Sequence, residues 1–215
     1  LIVIPRNEAE ERYLLAAANF TTTTVCLVRH GETDWNLNHR YQGWEDIPLN
    51  ETGLAQADLV AQAIAGESWD AIVSSPLSRA MQTARAIATA SGMTGIATDP
   101  DLRERGYGEA EGLTLEEREA KWAGPEWPGL EPYATMQQRA MVALGRVAGA
   151  YRGQRVLVVC HGGLINAVLA SVSGGEVGTG ITVIVNTART TLLHNGIDWS
   201  IANVTDASHL ELAVR

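Results

Sequence analysis

Cysteine is scarce in this sequence of 215 residues: there are two, Cys26 and Cys160, each inside a β-branched run that reads as a buried strand. Two isolated thiols make no disulfide framework, and their spacing matches no metal motif. They are expected to be small core residues in a reducing compartment. Long apolar runs are missing too. No stretch approaches the ~18 residues of a membrane span, and the richest, Val156–Val159, is far shorter. Positive charge is in deficit, with 16 Lys and Arg against 25 Asp and Glu and a formal net charge of -9. An acidic chain with no basic stripe argues against a nucleic-acid partner. The N-terminal stretch lacks the basic-then-apolar order of a secretion signal, since Asn7–Arg12 is acidic and charged and Leu14–Ala18 is short. A cytoplasmic location with no membrane partner is the expectation. Two devices of phosphate chemistry are missing as well. There is no G-x-x-x-x-G-K-S/T loop, and no Asp/Glu cluster at strand ends to hold Mg²⁺. No metal and no cofactor are therefore expected.

What is present suits one domain with a real core, at 46% apolar residues. Residues 1–24 read as an N-terminal extension. Within it Glu8–Ala18 offers a short helix capped by Asn7, and Thr21–Thr24 a polar link. From residue 25 to residue 215 strand and helix patterns alternate. Val25–Arg29, Ala71–Ser74 and Val156–Cys160 read as strands, the last covered on both faces. Glu51–Ala65 has helical spacing behind an Asn50 cap, and Pro76 opens a helix that Gly92 stops. Thr114–Trp122, Ala134–Tyr151 and Leu164–Ser171 are further helices. Ile181–Val185, Thr190–His194 and Ser200–Val204 are expected strands, with a hairpin at Asn195-Gly196. The pattern predicts an α/β fold: a three-layer α/β/α sandwich whose central sheet is mostly parallel with an antiparallel C-terminal part.

Ligands in open α/β sheets bind beyond the carboxyl ends of the strands. Three strand ends here carry chemistry. Arg29-His30-Gly31 follows the first, Ser74-Ser75-Pro76 with Arg79 follows the second, and His161-Gly162-Gly163 follows Cys160. If these strands are neighbours, two His and two Arg converge into a local positive site in an acidic protein. Arginine forks match phosphate oxygens, and backbone N–H groups near Gly31 and Gly162 can approach an anion where no Cβ intervenes.

Leu27-Val28-Arg29-His30-Gly31-Glu32-Thr33 resembles the R-H-G-E-T/S signature of the histidine phosphatase (phosphoglycerate-mutase-like) superfamily. Asp34-Trp35-Asn36, Arg40-Tyr41-Gln42-Gly43-Trp44, Ser74–Ala80, Leu102–Gly112, Cys160–Gly163 and Ala207–Leu210 extend the resemblance in family order, from about residue 25 onward. It implies a phosphohistidine enzyme acting on a small phosphorylated metabolite. In that scheme His30 is the nucleophile. Arg29, Asn36, Arg79, His161 and Gly162 hold the phosphoryl group, with His161 also counted as catalytic. Glu104 is the proton donor, although Glu109 and Glu111 compete for that part. Gln42, Gly43 and Tyr107 face the rest of the substrate. The resemblance leaves monomer, dimer and tetramer open, with a homodimer among the expected partners.

Two departures separate the chain from the mutases of that family. Gly106 stands where they carry a His, and Gly112–Pro132 is shorter than their insertion. These favour a phosphomonoesterase over a cofactor-dependent phosphoglycerate mutase. A phospholigand-binding module without catalysis is the third reading. Gly124–Pro132 is expected to form a wall of the pocket, and Trp122 and Trp127 to line or pack it.

Overall fold

The computed structural model describes residues 21–211, so the expected helix at Glu8–Ala18 and its Asn7 cap lie outside the described residues. The first strand, β1 (Thr23–Arg29), starts within the threonine run. It is followed by α1 (Asp34–Leu37), α2 (Glu51–Ala65), β2 (Ala71–Ser74), α3 (Ser78–Ala90) and the two-residue β3 (Ala97–Thr98). After two 3₁₀ turns, Pro100–Leu102 and Gly108–Ala110, come α4 (Leu115–Lys121), α5 (Tyr133–Ala150), β4 (Arg155–Cys160) and α6 (Gly162–Ser173). The hairpin of β5 (Arg189–His194) and β6 (Trp199–Asp206) precedes a short α7 (Ser208–Glu211). Asn50 caps α2 as expected, its Oδ1 accepting from Gly53 N–H at 2.8 Å. Such a cap contributes about 1 kcal/mol.

The six strands form one sheet in the order β3-β2-β4-β1-β5-β6. The first three pairings are parallel, and β5 and β6 join antiparallel. This is the mixed α/β sheet that the pattern predicts. Alternate residues of the central strands supply two cores. Val25, Leu27, Val156 and Val158 pack under α5 and α6, and Cys26, Val28, Leu157 and Val159 under α2 and α3. A strand buried on both faces needs apolar side chains at every position, hence the unbroken run in β4. The two cysteines are fully buried, unpaired and on opposite faces of the sheet.

The expected strand at Ile181–Val185 does not form. The segment follows Gly174, Gly175, Gly178 and Gly180, all at positive φ, which turn the chain repeatedly. The sheet position next to β1 is already taken by β5. Ile184 alone points inward, while Val183 is 79% exposed. The segment is β-branched, but one side faces the solvent and the ladder is absent. The segment borders the cavity described next.

Because β1 and β4 are adjacent and parallel, their last residues emerge side by side, with Arg29 opposite Cys160. The chain leaves β1 for the α2 face and β4 for the α6 face, which opens a crevice between their carboxyl ends.

Candidate active site

A cavity of about 370 Å³ occupies that crevice, and Arg29, His30, Asn36, Gln42, Gly43, Arg79, Glu104, Tyr107 and Gly162 line it. His161 is fully buried, its ring centroid 5.1 Å from that of His30. All ten residues singled out from the sequence are therefore brought to one place.

His30 Nδ1 lies 2.7 Å from the carbonyl oxygen of Gly31. A carbonyl only accepts, so the proton sits on Nδ1 and the lone pair on Nε2. Burial, and then the charges of Arg79 and Arg29, hold the His30 pKa well below its ordinary value. The ring is neutral at neutral pH, with a nucleophilic nitrogen available. His161 is likewise held low by burial and by Arg79. Its Nε2 lies 2.8 Å from Ser75 Oγ, which also accepts from Leu77 N–H at 3.4 Å. Either atom can be the donor in that pair, and the other ring nitrogen, Nδ1, is buried with no protein partner.

Two arginines complete the anion-binding set. Arg79 is wholly buried at the start of α3, its Nη1 and Nη2 donating to the carbonyls of Glu45 (2.9 Å) and Gly43 (2.8 Å). Burial lowers its pKa to about 10, which leaves it charged at neutral pH. Arg29 donates through Nη1 to Ile184 O. In both residues Nε is buried without a partner. A buried N–H left unpaired costs roughly 1–3 kcal/mol, and two such donors lining one cavity beside His30 suit an anion. Asn36 spends its Oδ1 on Thr33 N–H and Oγ1 and on Asn186 Nδ2, leaving its own amide hydrogens to face the cavity. The N-terminus of α6 adds partial positive charge.

The glycines act differently from one another. A Cβ on Gly162 would approach the Arg29 guanidinium to 3.3 Å. Gly31 does not approach the anion as expected. Its N–H is spent on Thr83 Oγ1 at 3.1 Å, and its missing Cβ makes room for Gly53 O.

Glu104 is the one carboxylate of the three candidates that lines the cavity. Its Oε2 accepts from Gly163 N–H and its Oε1 from Arg105 N–H, both at 2.9 Å. Glu111 is committed elsewhere, accepting from the N–H groups of Trp44, Tyr107 and Glu45 and so fixing the loop that caps Arg79. Glu109 is exposed and pairs with Lys121. Tyr107 packs its ring 4.8 Å from that of Tyr41, and burial raises its phenol.

The expectation that Gly124–Pro132 walls the cavity is overturned. The segment packs instead on the turn at Gly108, where a Cβ would collide with the Gly129 backbone, and Pro128 O accepts from Glu109 N–H. Trp127 donates to Tyr107 O at 2.7 Å and stacks near Trp122, so these indoles pack behind the wall. Sequence reasoning passed over Asn186, which donates to His30 O at 3.0 Å, and Thr187, whose N–H reaches Arg29 O. Thr187 holds φ +60, strained for a β-branched residue, with Oγ1 bonded to the buried His209. No sequence signal marks that conformation.

A family model described as "Histidine phosphatase superfamily (branch 1)" matches residues 25–207. The chain is 42% identical over 188 residues to "Uncharacterized phosphatase PhoE" of Bacillus subtilis, covering 87% of this chain and 97% of the relative. It is 35% identical over 204 residues to "Phosphoglycerate mutase-like protein 4" of Arabidopsis thaliana, covering 87% and 86%. Among solved structures, a mycobacterial glucosyl-3-phosphoglycerate phosphatase in complex with VO3 superposes with a TM-score of 0.77 at 27% identity, covering 86% of this chain and 99% of that one.

Proposed function

The chain belongs to the histidine phosphatase superfamily (branch 1), and from that premise we propose that it hydrolyses phosphomonoesters of small metabolites through a phosphohistidine on His30, without metal or cofactor. The observation that carries the proposal is the convergence of two unpartnered buried donors, Arg29 Nε and Arg79 Nε, and the unpartnered Nδ1 of His161 on a neutral histidine whose Nδ1 proton is already bound.

The chemistry follows from those atoms. His30 Nε2 attacks phosphorus as the ester P–O bond breaks. Charge spreads over the three equatorial oxygens, where the two guanidinium groups, His161 and Asn36 donate. Glu104 gives its proton to the departing oxygen, releasing the alcohol. It then takes a proton from a water that attacks phosphorus, the P–N bond breaks, and phosphate leaves with His30 neutral and Glu104 reprotonated. Proton donation of this kind contributes roughly 10²–10⁴-fold. Gln42, 7% exposed and with Oε1 unpartnered, offers a hydrogen-bond acceptor to the alcohol part of the substrate.

Hydrolysis is favoured over a mutase cycle by the state of the nearby cations. Arg118 donates to Gly124 O and Glu119 and lies over Trp127, Lys121 pairs with Glu109 over Trp122, and Arg40 pairs with Glu117. A bisphosphate primer needs a free cation at the cavity for its second phosphate; Arg40 there is paired with Glu117, and Arg118, whose Nε is unpartnered, and Lys121 do not line the cavity. The two buried free thiols fit a reducing compartment, and we place the activity in the cytoplasm.

Phosphorus NMR of the protein in EDTA with 3-phosphoglycerate, and in parallel with an aryl phosphate, tests this reading beside His30→Ala. Inorganic phosphate from either ester, and an acid-labile phosphoryl protein that the variant lacks, are the expected results. Formation of 2-phosphoglycerate would replace the phosphatase by a mutase. Silence with both esters would overturn the enzyme.

A further inference from the structure

We propose that Arg139, with Glu131, is the positioning residue that aims Glu104 at the leaving oxygen; this rests on the phosphatase reading above. Arg139 lies on α5, and its side chain is 13% exposed. Its five guanidinium contacts are all to protein. Nη1 donates to the carbonyls of Asp101 (2.8 Å) and Arg103 (2.6 Å), and Nη2 to that of Glu104 (2.7 Å). Nε and Nη2 also grip both oxygens of Glu131, at 2.7 and 2.8 Å.

Glu131 closes the other side of the same loop. Its Oε2 accepts from Gly106 N–H at 3.0 Å, while its backbone carbonyl accepts from Arg105 Nε at 2.8 Å. Burial alone would raise the Glu131 carboxyl, yet the bonds from Arg139 and Gly106 hold it below its ordinary value, so it is ionised and the pair is charge-assisted. The backbone from residue 101 to residue 106 is thus tied at four points to one ion pair.

Glu104 is otherwise secured by two N–H bonds to its side chain and one from Trp44 Nε1 to its carbonyl (2.8 Å). None of these fixes the direction of the 101–103 backbone that leads into it. A carboxyl that must meet a leaving oxygen within hydrogen-bond reach depends on that direction. Neither partner lines the cavity, so neither touches substrate.

The test uses leaving-group chemistry. A 4-nitrophenyl ester departs without a proton, whereas an alkyl ester such as glycerol phosphate needs one. The quantity kcat/KM reports phosphoryl transfer to His30 and excludes the later hydrolysis. Arg139→Lys keeps the charge but cannot span three carbonyls and a carboxylate. Its kcat/KM is expected to fall at least tenfold more for the alkyl than for the aryl ester. Glu131→Gln, which keeps the shape, should move the ratio in the same direction and decides the matter if the lysine variant does not fold. Equal losses on both esters, or none, would overturn the positioning role while leaving the phosphatase reading intact. A wild-type protein inert towards both esters would remove the phosphatase reading and this proposal with it.

Discussion

Gly163→Ala should separate activity from stability. Gly163 is the second residue of α6, and its N–H donates to Glu104 Oε2 at 2.9 Å. A Cβ there would stand 2.5 Å from Glu104 Oε1 and 3.1 Å from Cδ. Ordinary contact requires the carboxyl to retreat by about 1 Å, and a displacement of that size at a reacting group can cost about 10²-fold. The expected loss in kcat/KM for an alkyl phosphate is therefore about 100-fold, or about 2.7 kcal/mol of transition-state stabilisation. The fold should not suffer. Alanine in place of a helical glycine gains roughly 0.4–1 kcal/mol through the unfolded chain, and the group it displaces is the end of a flexible side chain. Steady-state kinetics on an alkyl and an aryl ester, with thermal unfolding of the same preparations, checks both halves. A variant with unchanged Tm and kcat/KM within threefold of wild type on the alkyl ester would refute Glu104 as the proton donor. A variant equally impaired on both esters would mean that the phosphate clamp, not the acid, had moved.

Two further outcomes are expected. Arg79→Lys keeps a positive charge but has no fork with which to hold Gly43 O, Glu45 O and a phosphoryl oxygen together; kcat/KM should drop about 10²-fold on alkyl and aryl esters alike, and a loss confined to alkyl esters would contradict its place in the clamp. His30, His161 and His209 are all buried with pKa values below 6.5 in the folded protein, so the unfolded chain binds protons that the folded one refuses. Stability is fully present above about pH 6.5 and is lost as pH falls through it, by up to about 1.4 kcal/mol per unit per histidine. Urea midpoints at pH 7.5 and 5.5 test the sign, and a midpoint that held steady or rose on acidification would show these rings to be solvated.

The meeting of the two histidines was legible in the sequence because each sits directly after an apolar strand. Once Val25–Arg29 and Val156–Cys160 read as strands, adjacency alone brings His30 and His161 together. The 3.6-residue period likewise marked α2 and α5 to within a residue. Ile181–Val185 misled because a run of β-formers does not report ladder pairing, and here Ile184 packs on the core while its carbonyl serves Arg29. The braces behind the site were hidden for another reason. Arg139 falls between Met136 and Ala143 on the apolar face of α5, a faint signal. Its partners are mostly backbone carbonyls, which carry no sequence letter.

Arg79 and Arg139 show why burial alone does not distinguish a binding residue from a strut. Each is an arginine in a loop-capping position, and each donates to carbonyls of the loop it holds. The difference lies in the donors left over. Arg139 spends its guanidinium on three carbonyls and both oxygens of Glu131, so it has nothing to offer a ligand. Arg79 and Arg29 each keep a buried Nε without a partner and line the cavity, whereas Arg118 and Arg189, whose Nε is also unpartnered, do not line it. The same count explains how a chain of net charge -9 can gather phosphate. Surface charge governs approach, but affinity comes from desolvated donors that no protein carboxylate satisfies. Glu111, beside the loop that caps Arg79, is held by three N–H groups and does not line the cavity. If the count is the right criterion, Arg79→Lys must weaken both ester classes together while Arg139→Lys divides them. Two buried arginines with the same response would show that unspent donors carry no information about function.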